Sequence, residues 1–384
     1  MATQRITLSS DVLKWARVTR FGANIDEAAS KLKVTREQIT DWETINPTVT
    51  PQILKRIAKV YKRHITVLLL QTPPISSAPP KFRTLPNFEN IYFDSSTFLA
   101  IRSAQEIQGI TKMLLANNIN QRFINLKKHR ESASDLAKFV IQELNVTNEM
   151  RFETKTTRQQ LSVWKRLIES CGVIVVEHLF PIKDSRAFTL YDDLAPIIIL
   201  NGRDTDNARV FSLFHELGHL IMGQTDSDDT LDLYVQDKTR DELFCNQFAA
   251  SFLVPDELLK ESVVGVRDFN DENVKVIANK FKVSSAVVWR RLYDGNFIDL
   301  SQLKNNRKRL ATFEWFEKLD KKKKSKGGGN ADTFLYTTMK RKGELYISEV
   351  FEAYNSKRIT YYEVLDYTGV KPTALRRLQE LMFA

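Results

Sequence analysis

The stretch DNARVFSLFHELGHLIMG, residues 206–223, constrains this chain more than any other. Val210, Phe211, Leu213, Phe214, Leu217, Leu220 and Ile221 recur at helical spacing, and Gly223 stands where a helix would stop. Inside this helix lies His215-Glu216-Leu217-Gly218-His219. Histidines at i and i+4 share one helical face about one turn apart, which suits two ligands of a tetrahedral Zn²⁺. Glu216 follows the first ligand directly, so it would reach the metal-bound water instead of the metal. The chain has only five histidines, so two of them in this pattern on an amphipathic helix point to a metal site.

Catalytic zinc takes three protein ligands and leaves a fourth position open. The pentad is not followed by a third histidine at the usual downstream spacing, so the remaining ligand must come from elsewhere. A polar, Asp-rich stretch follows Gly223, and then a second helix is predicted over DELFCNQFAASFLVP, residues 241–255. Its stripe of Leu243, Phe244, Phe248, Phe252 and Leu253 reads as core. Glu242 is the acidic residue on it best placed to return to the metal, with Asp241 or an Asp of the preceding stretch as alternatives. Asn246, four residues on, shares that face and is positioned to hold a ligand histidine from behind. Cys245 reads as inert core.

Two breaks organise the rest of the 384 residues. Thr72–Pro80, TPPISSAPP, contains four of the eleven prolines and reads as a linker. Lys321–Asn330, KKKKSKGGGN, joins a charge run to three glycines and reads as a solvated loop. The expected division is a helix-turn-helix domain at 1–71, a Pro-rich linker at 72–87, a metallopeptidase domain with a helical connector at 88–300, and a basic helical domain at 301–384. Within the N-terminal unit four short helices are predicted, with Thr35 and Thr50 as caps and Pro51 at a first helical position. The run IDEAASKLKVTREQITDWE has the cadence of a helix-turn-helix, whose second helix lies in the DNA major groove. Arg36, Gln38 and Thr40 would face outward as DNA-binding residues, with double-stranded DNA as partner. A helix-turn-helix used instead for dimerisation, giving a homodimer, or for substrate docking is the alternative. Residues 277–292 and 364–378 echo the same cadence and read as ordinary helix packing.

Charge is distributed unevenly. Residues 1–70 carry 12 Lys/Arg against 6 Asp/Glu, residues 301–384 carry 18 against 10, and the middle carries 27 against 31. A polyanionic partner would therefore be met by the ends of the chain. Two cysteines, Cys171 and Cys245, cannot build a disulfide framework and suit a reducing cytoplasm. The first residues lack the apolar region of a signal peptide, and no apolar run is long enough for a membrane span. No membrane role is expected.

Two resemblances sharpen these expectations. Residues 25–54 resemble the repressor-type helix-turn-helix domain, with Trp42, Glu43, Pro51 and Leu54 in the family order and Thr44 where the family has glycine. Over roughly residues 5–300 the chain resembles the ImmA/IrrE family of zinc metallopeptidases. Arg209, Phe211, Ser212 and Leu213 precede the pentad as in that family, and Glu242, Asn246, Phe248, Ala249, Ala250, Leu253 and Pro255 follow its second motif. The strands GVIVVE and IIILN and the run PPKFRTLPN at 79–87 also fit, while Ala187 stands where many members have glycine.

The resemblance implies His215, His219 and Glu242 as zinc ligands and Glu216 as the base that activates a zinc-bound water. It implies a regulatory endopeptidase that cleaves a helix-turn-helix repressor or antitoxin encoded nearby. The runner-up is a DNA-binding transcriptional regulator or antitoxin of a toxin–antitoxin or mobile-element system, with a structural or sensory zinc site. His178, Arg186 and Tyr234 are the candidate oxyanion stabilisers; His64 and His129 read as solvent-facing. The expected fold class is α+β and mostly helical, with a zincin-like core around a short β-sheet at 173–201, plus an all-α helix-turn-helix domain.

Overall fold

In the computed structural model the described residues are 5–74, 93–115, 123, 126, 132–223, 240–266, 268–310 and 331–383. The chain divides into two compact units, Met1–Ser103 and Ala104–Ala384. Several sequence features lie outside the described residues: nearly all of the Pro-rich linker, the Asp-rich stretch 224–239 with Tyr234, His129, and Lys321–Asn330.

The first unit contains α1 (Ser10–Phe21), α2 (Ile25–Leu32), α3 (Arg36–Thr44), α4 (Pro51–Tyr61) and α5 (Ile65–Leu68). The caps form where the sequence puts them. The Thr35 hydroxyl accepts from the Gln38 N–H, and the Thr50 hydroxyl accepts from the Ile53 N–H ahead of Pro51. Leu13, Phe21, Leu32, Ile39, Leu54, Ile57 and Tyr61 form the core. Arg17 donates from Nε and Nη2 to the two Glu43 oxygens, tying α1 to α3 with both side chains nearly buried.

The expectation of an all-α unit is corrected here. β1 (Ile6–Thr7) pairs antiparallel with β2 (Thr48–Val49), because the two short extended segments that flank α1–α3 satisfy each other's backbone groups. Thr44, where the helix-turn-helix pattern it resembles has glycine, is helical, and Ile45 after it is extended at φ −123°, so no left-handed residue is needed there.

The second unit holds α6 from Ala104 onward (the helix begins in the first unit and spans Ser95–Leu114), α7 (Ala133–Glu143), α8 (Asn148–Phe152) and α9 (Thr157–Ser170). Then come β3 (Ile174–His178), β4 (Ala187–Leu190) and β5 (Ile197–Asn201), followed by α10 (Asp206–Met222) and α11 (Arg240–Leu253). The sheet order is β3-β5-β4, with β3 parallel and β4 antiparallel to the central strand. β5 is buried along its whole length, which suits the unalternating run Ile-Ile-Ile-Leu. α10 packs on β4, β5, α9 and α11, and is buried continuously from Arg209 to Ile221. Trp164 of α9 sets its ring edge-on to Phe214 of α10 at 5.6 Å and to Phe252 of α11 at 5.7 Å.

Two buried arginines hold the C-terminal end of α11. Arg151 donates to the Phe252 and Leu253 carbonyls, and burial pushes its pKa down to about 10. Arg291 donates to the Val254 carbonyl and pairs with Asp256. Cations at a helix C-terminus complement its dipole and satisfy its last carbonyls. α12 (Asp256–Ser262), α13 (Asp271–Phe281), α14 (Ser285–Asp294) and α15 (Leu300–Leu310) follow. The 277–292 echo is thus a packing device: left-handed Lys282 and buried Val283 turn the chain so that Arg291 reaches α11.

The sequence boundary at residue 300 does not separate compact units. α16 (Ala331–Lys342) and α17 (Glu344–Asn355) pack on β3, and α17 also on α9, with α18 (Tyr361–Thr368) and α19 (Pro372–Phe383) beyond them. The reason is that, among the described residues, β3 has a strand partner on one side only, and an uncovered edge strand leaves backbone groups unsatisfied. Replacing Trp164, 2% exposed at the junction of α9, α10 and α11, by Ala removes a large buried indole from this core. Urea unfolding of Trp164→Ala should show a loss of about 3–5 kcal/mol.

Candidate metal centre

α10 starts where the Thr205 hydroxyl accepts from the Ala208 N–H, and ends at Gly223 in the left-handed region at φ +75°. Between these ends His215 and His219 lie on one face, 1% and 0% exposed, with their Nε2 atoms 3.0 Å apart. α11 lies against this helix and brings Glu242 from its first turn. Glu242 Oε1 is 3.0 Å from His219 Nε2, and Oε2 is 3.5 Å from His215 Nε2. The three ligand atoms lie within 4.8 Å of one another, all on buried residues.

This donor set fits a zinc ion. Bonds of about 2.0–2.1 Å in a tetrahedron put ligand atoms roughly 3.4 Å apart, close to the separations here. Two imidazoles and one carboxylate converge there on buried residues, which is the nitrogen and oxygen donor chemistry that zinc takes. The set names Glu242 and no other acid among the described residues; Asp241 is not part of it. Glu216, 1% exposed, sits on the same buried helix but outside the set, because one residue of helix turns a side chain about 100°.

Asn246 is 6% exposed, one helical turn beyond Glu242, and neither of its amide atoms meets a hydrogen-bond partner among the described residues. A buried amide left in that state costs about 1–3 kcal/mol per group. Arg209 anchors the start of α10. It donates to Glu177 of β3 at 2.7 Å and pairs with Asp206, while Lys165 of α9 meets the other Glu177 oxygen at 3.0 Å. Burial works to raise the Glu177 carboxyl, yet Lys165 and Arg209 outweigh it and hold it below the ordinary carboxylate range.

The other sequence candidates lie elsewhere. His178 ends β3 beside Arg341 and Lys342. Burial first, then those two cations, push it down to about 4, so it stays neutral near pH 7. Arg186 is paired with Asp204 at 3.0 Å. His64 caps α5 through Nδ1 and Thr66. In the first unit Arg36 pairs with Asp26 at 3.1 Å, the Thr40 hydroxyl donates back to the Arg36 carbonyl, and Gln38 is exposed.

Gly218 is the residue whose role sequence reasoning missed, although its place inside the pentad was visible. A Cβ built there would lie 3.1 Å from Cys245 Sγ and 3.2 Å from Phe248 Cδ1. The absence of a side chain lets α11 approach closely enough for Glu242 to reach both histidines. Cys245 is fully buried in this contact, and burial pushes its thiol pKa up. A Gly218→Val variant must push the helices apart against about 1–3 kcal/mol of strain. Its zinc affinity, measured by competition with a chelating dye, should fall at least about tenfold while the far-ultraviolet dichroism is kept.

Comparison with known proteins agrees with this geometry. No curated protein matches the chain. No described helix is long and apolar enough to cross a membrane. Residues 168–293 match the peptidase M78 family, described as the IrrE N-terminal-like domain, a span that holds the three-stranded sheet and the two helices that carry His215, His219 and Glu242. The match supports the likeness to the ImmA/IrrE family and a metallopeptidase-type function for this part of the chain.

Proposed function

We propose that this protein is a zinc-dependent regulatory endopeptidase, with His215, His219 and Glu242 holding the ion and Glu216 acting as general base. The observation that carries the reading is the division of labour on α10. Two histidines converge with Glu242, while a third ionisable side chain shares their buried helix and stands outside the ligand set. Zn²⁺ bound there supplies Lewis acidity and lowers the pKa of coordinated water to ~7. Glu216 moves the protons: its carboxylate takes one from the attacking water and returns it to the nitrogen of the leaving peptide. In this reading Asn246 would steady a ligand imidazole once the ion is bound; among the described residues neither its amide atoms nor the Nδ1 atoms of His215 and His219 meet a hydrogen-bond partner. A purely structural zinc has no use for a carboxylate beside its ligands, and this favours catalysis over a sensory site.

In the same reading the N-terminal unit supplies recognition. α2 and α3 are joined by a short turn with Lys33 left-handed at φ 56°, which supports a helix-turn-helix. Glu37 and Asp41 share the exposed surface of α3 with Gln38, and Asp26 already neutralises Arg36. Those carboxylates oppose contact with DNA phosphates. We therefore assign this unit to docking on a protein of its own class, a helix-turn-helix repressor or antitoxin that is also the substrate.

The test compares wild type with Glu216→Gln by elemental analysis and by cleavage of the helix-turn-helix protein encoded beside it. One zinc per chain is expected in both, with cleavage lost by about 10²–10⁴-fold in the variant. Zinc without cleavage, together with salt-dependent operator binding by both proteins, would favour the DNA-binding regulator. A metal-free protein would overturn the peptidase reading.

A further inference from the structure

Glu169, near the end of α9, sits where the C-terminal helices meet the sheet. It is 5% exposed. Its Oε1 accepts from the Val175 N–H of β3 at 3.4 Å and from the Leu345 N–H in the first turn of α17 at 3.3 Å. Its Oε2 is buried with no hydrogen-bond partner among the described residues. Gly343, left-handed at φ +84°, passes so close that a Cβ would lie 2.9 Å from Ile174 Cγ2, 3.1 Å from Glu169 Oε1 and 3.3 Å from the Val175 carbonyl. The one acid thus bridges α9, the edge strand β3 and the junction of α16 with α17. We propose that Glu169 is a proton-sensitive latch that holds the C-terminal helices on β3 and loosens when it ionises.

The surrounding charges favour this behaviour. Two groups face Glu169: Lys165 from its own helix and Glu344 from α17. Lys165 donates to Glu177 at 3.0 Å and does not close a bond to Glu169, and Glu344 adds negative charge. A carboxylate buried with one naked oxygen and no ion pair of its own is costly, whereas the neutral acid is not. Burial, the largest influence, followed by the opposing pull of Lys165, leaves the group at about 7. Two other titratable groups of β3 have shifts that take them away from that pH. Glu177 is held low by Lys165 and Arg209 against its burial, and His178 is held at about 4 by burial and by Arg341 and Lys342.

The direction follows from linkage. The docked state raises the Glu169 pKa from the ordinary 4.5 to about 7. Its contribution to docking is therefore complete below pH 4.5 and is lost as pH rises through 7. Between pH 6 and pH 8 that predicts about a tenfold weakening of the docked state.

Hydrogen exchange of the full chain, corrected for intrinsic rates, measures this directly. Amides of residues 331–355 should exchange about tenfold faster relative to protection at pH 6 when the protein is held at pH 8, and Glu169→Gln should remove the difference. Unchanged protection of wild type between the two pH values, or the same pH dependence in Glu169→Gln, would overturn the latch. Should the Gln variant not fold, infrared titration of the wild-type carboxyl band keeps the question open to refutation. One buried carboxyl must lose its proton with a midpoint near 7, and a spectrum without that step would refute the proposal.

Discussion

The site depends on how closely two helices approach. α10 and α11 meet at Gly218, where the sulfur of Cys245 and the ring of Phe248 occupy the space that a side chain would fill. Glu242 lies one turn before Cys245 on the same helix, so the depth of that contact sets where its carboxylate arrives between His215 and His219. The opposite end of α11 is fixed by the guanidinium groups of Arg151 and Arg291 on its last carbonyls. A ligand carboxylate contributed by a second helix is only as well placed as that helix, and here both ends of it are held.

The second constraint is charge kept away from water. Glu177 receives Arg209 and Lys165, so the start of the histidine-bearing helix is tied to β3 and α9 by a network whose members are mostly buried. Arrangements of this kind contribute little to net stability compared with apolar packing, because desolvation offsets the Coulomb gain; removing one partner is nevertheless expensive. They specify register. The same strand, β3, is where the C-terminal helices attach, so it is tied to the histidine-bearing helix through Glu177 and to the start of α17 through Glu169.

Much of the site was legible in the sequence because its main signal is local. The i, i+4 histidines, the offset of Glu216, the caps at Thr35 and Thr50 and the helix stop at Gly223 all depend on residues a turn or so apart. β3 and β5 were visible as apolar runs. β4 was not: Ala-Phe-Thr-Leu is too short and too mixed to signal a strand, and it is one because β5 supplies its hydrogen bonds. The pair β1–β2 escaped for the same reason, being two residues long on each side.

The sequence by itself thus determined which helix carries the paired histidines and where Glu216 stands relative to them, since helical geometry places a side chain relative to its near neighbours without outside help. The tertiary structure decided that Glu242 and not Asp241 completes the set, that Arg186 serves Asp204 and His178 faces Arg341 and Lys342, and that residues 331–355 belong to the second unit. Each of those outcomes rests on groups distant in the chain and brought together by packing. Helix periodicity cannot specify such meetings, because they are set by burying apolar faces and satisfying the backbone of an edge strand.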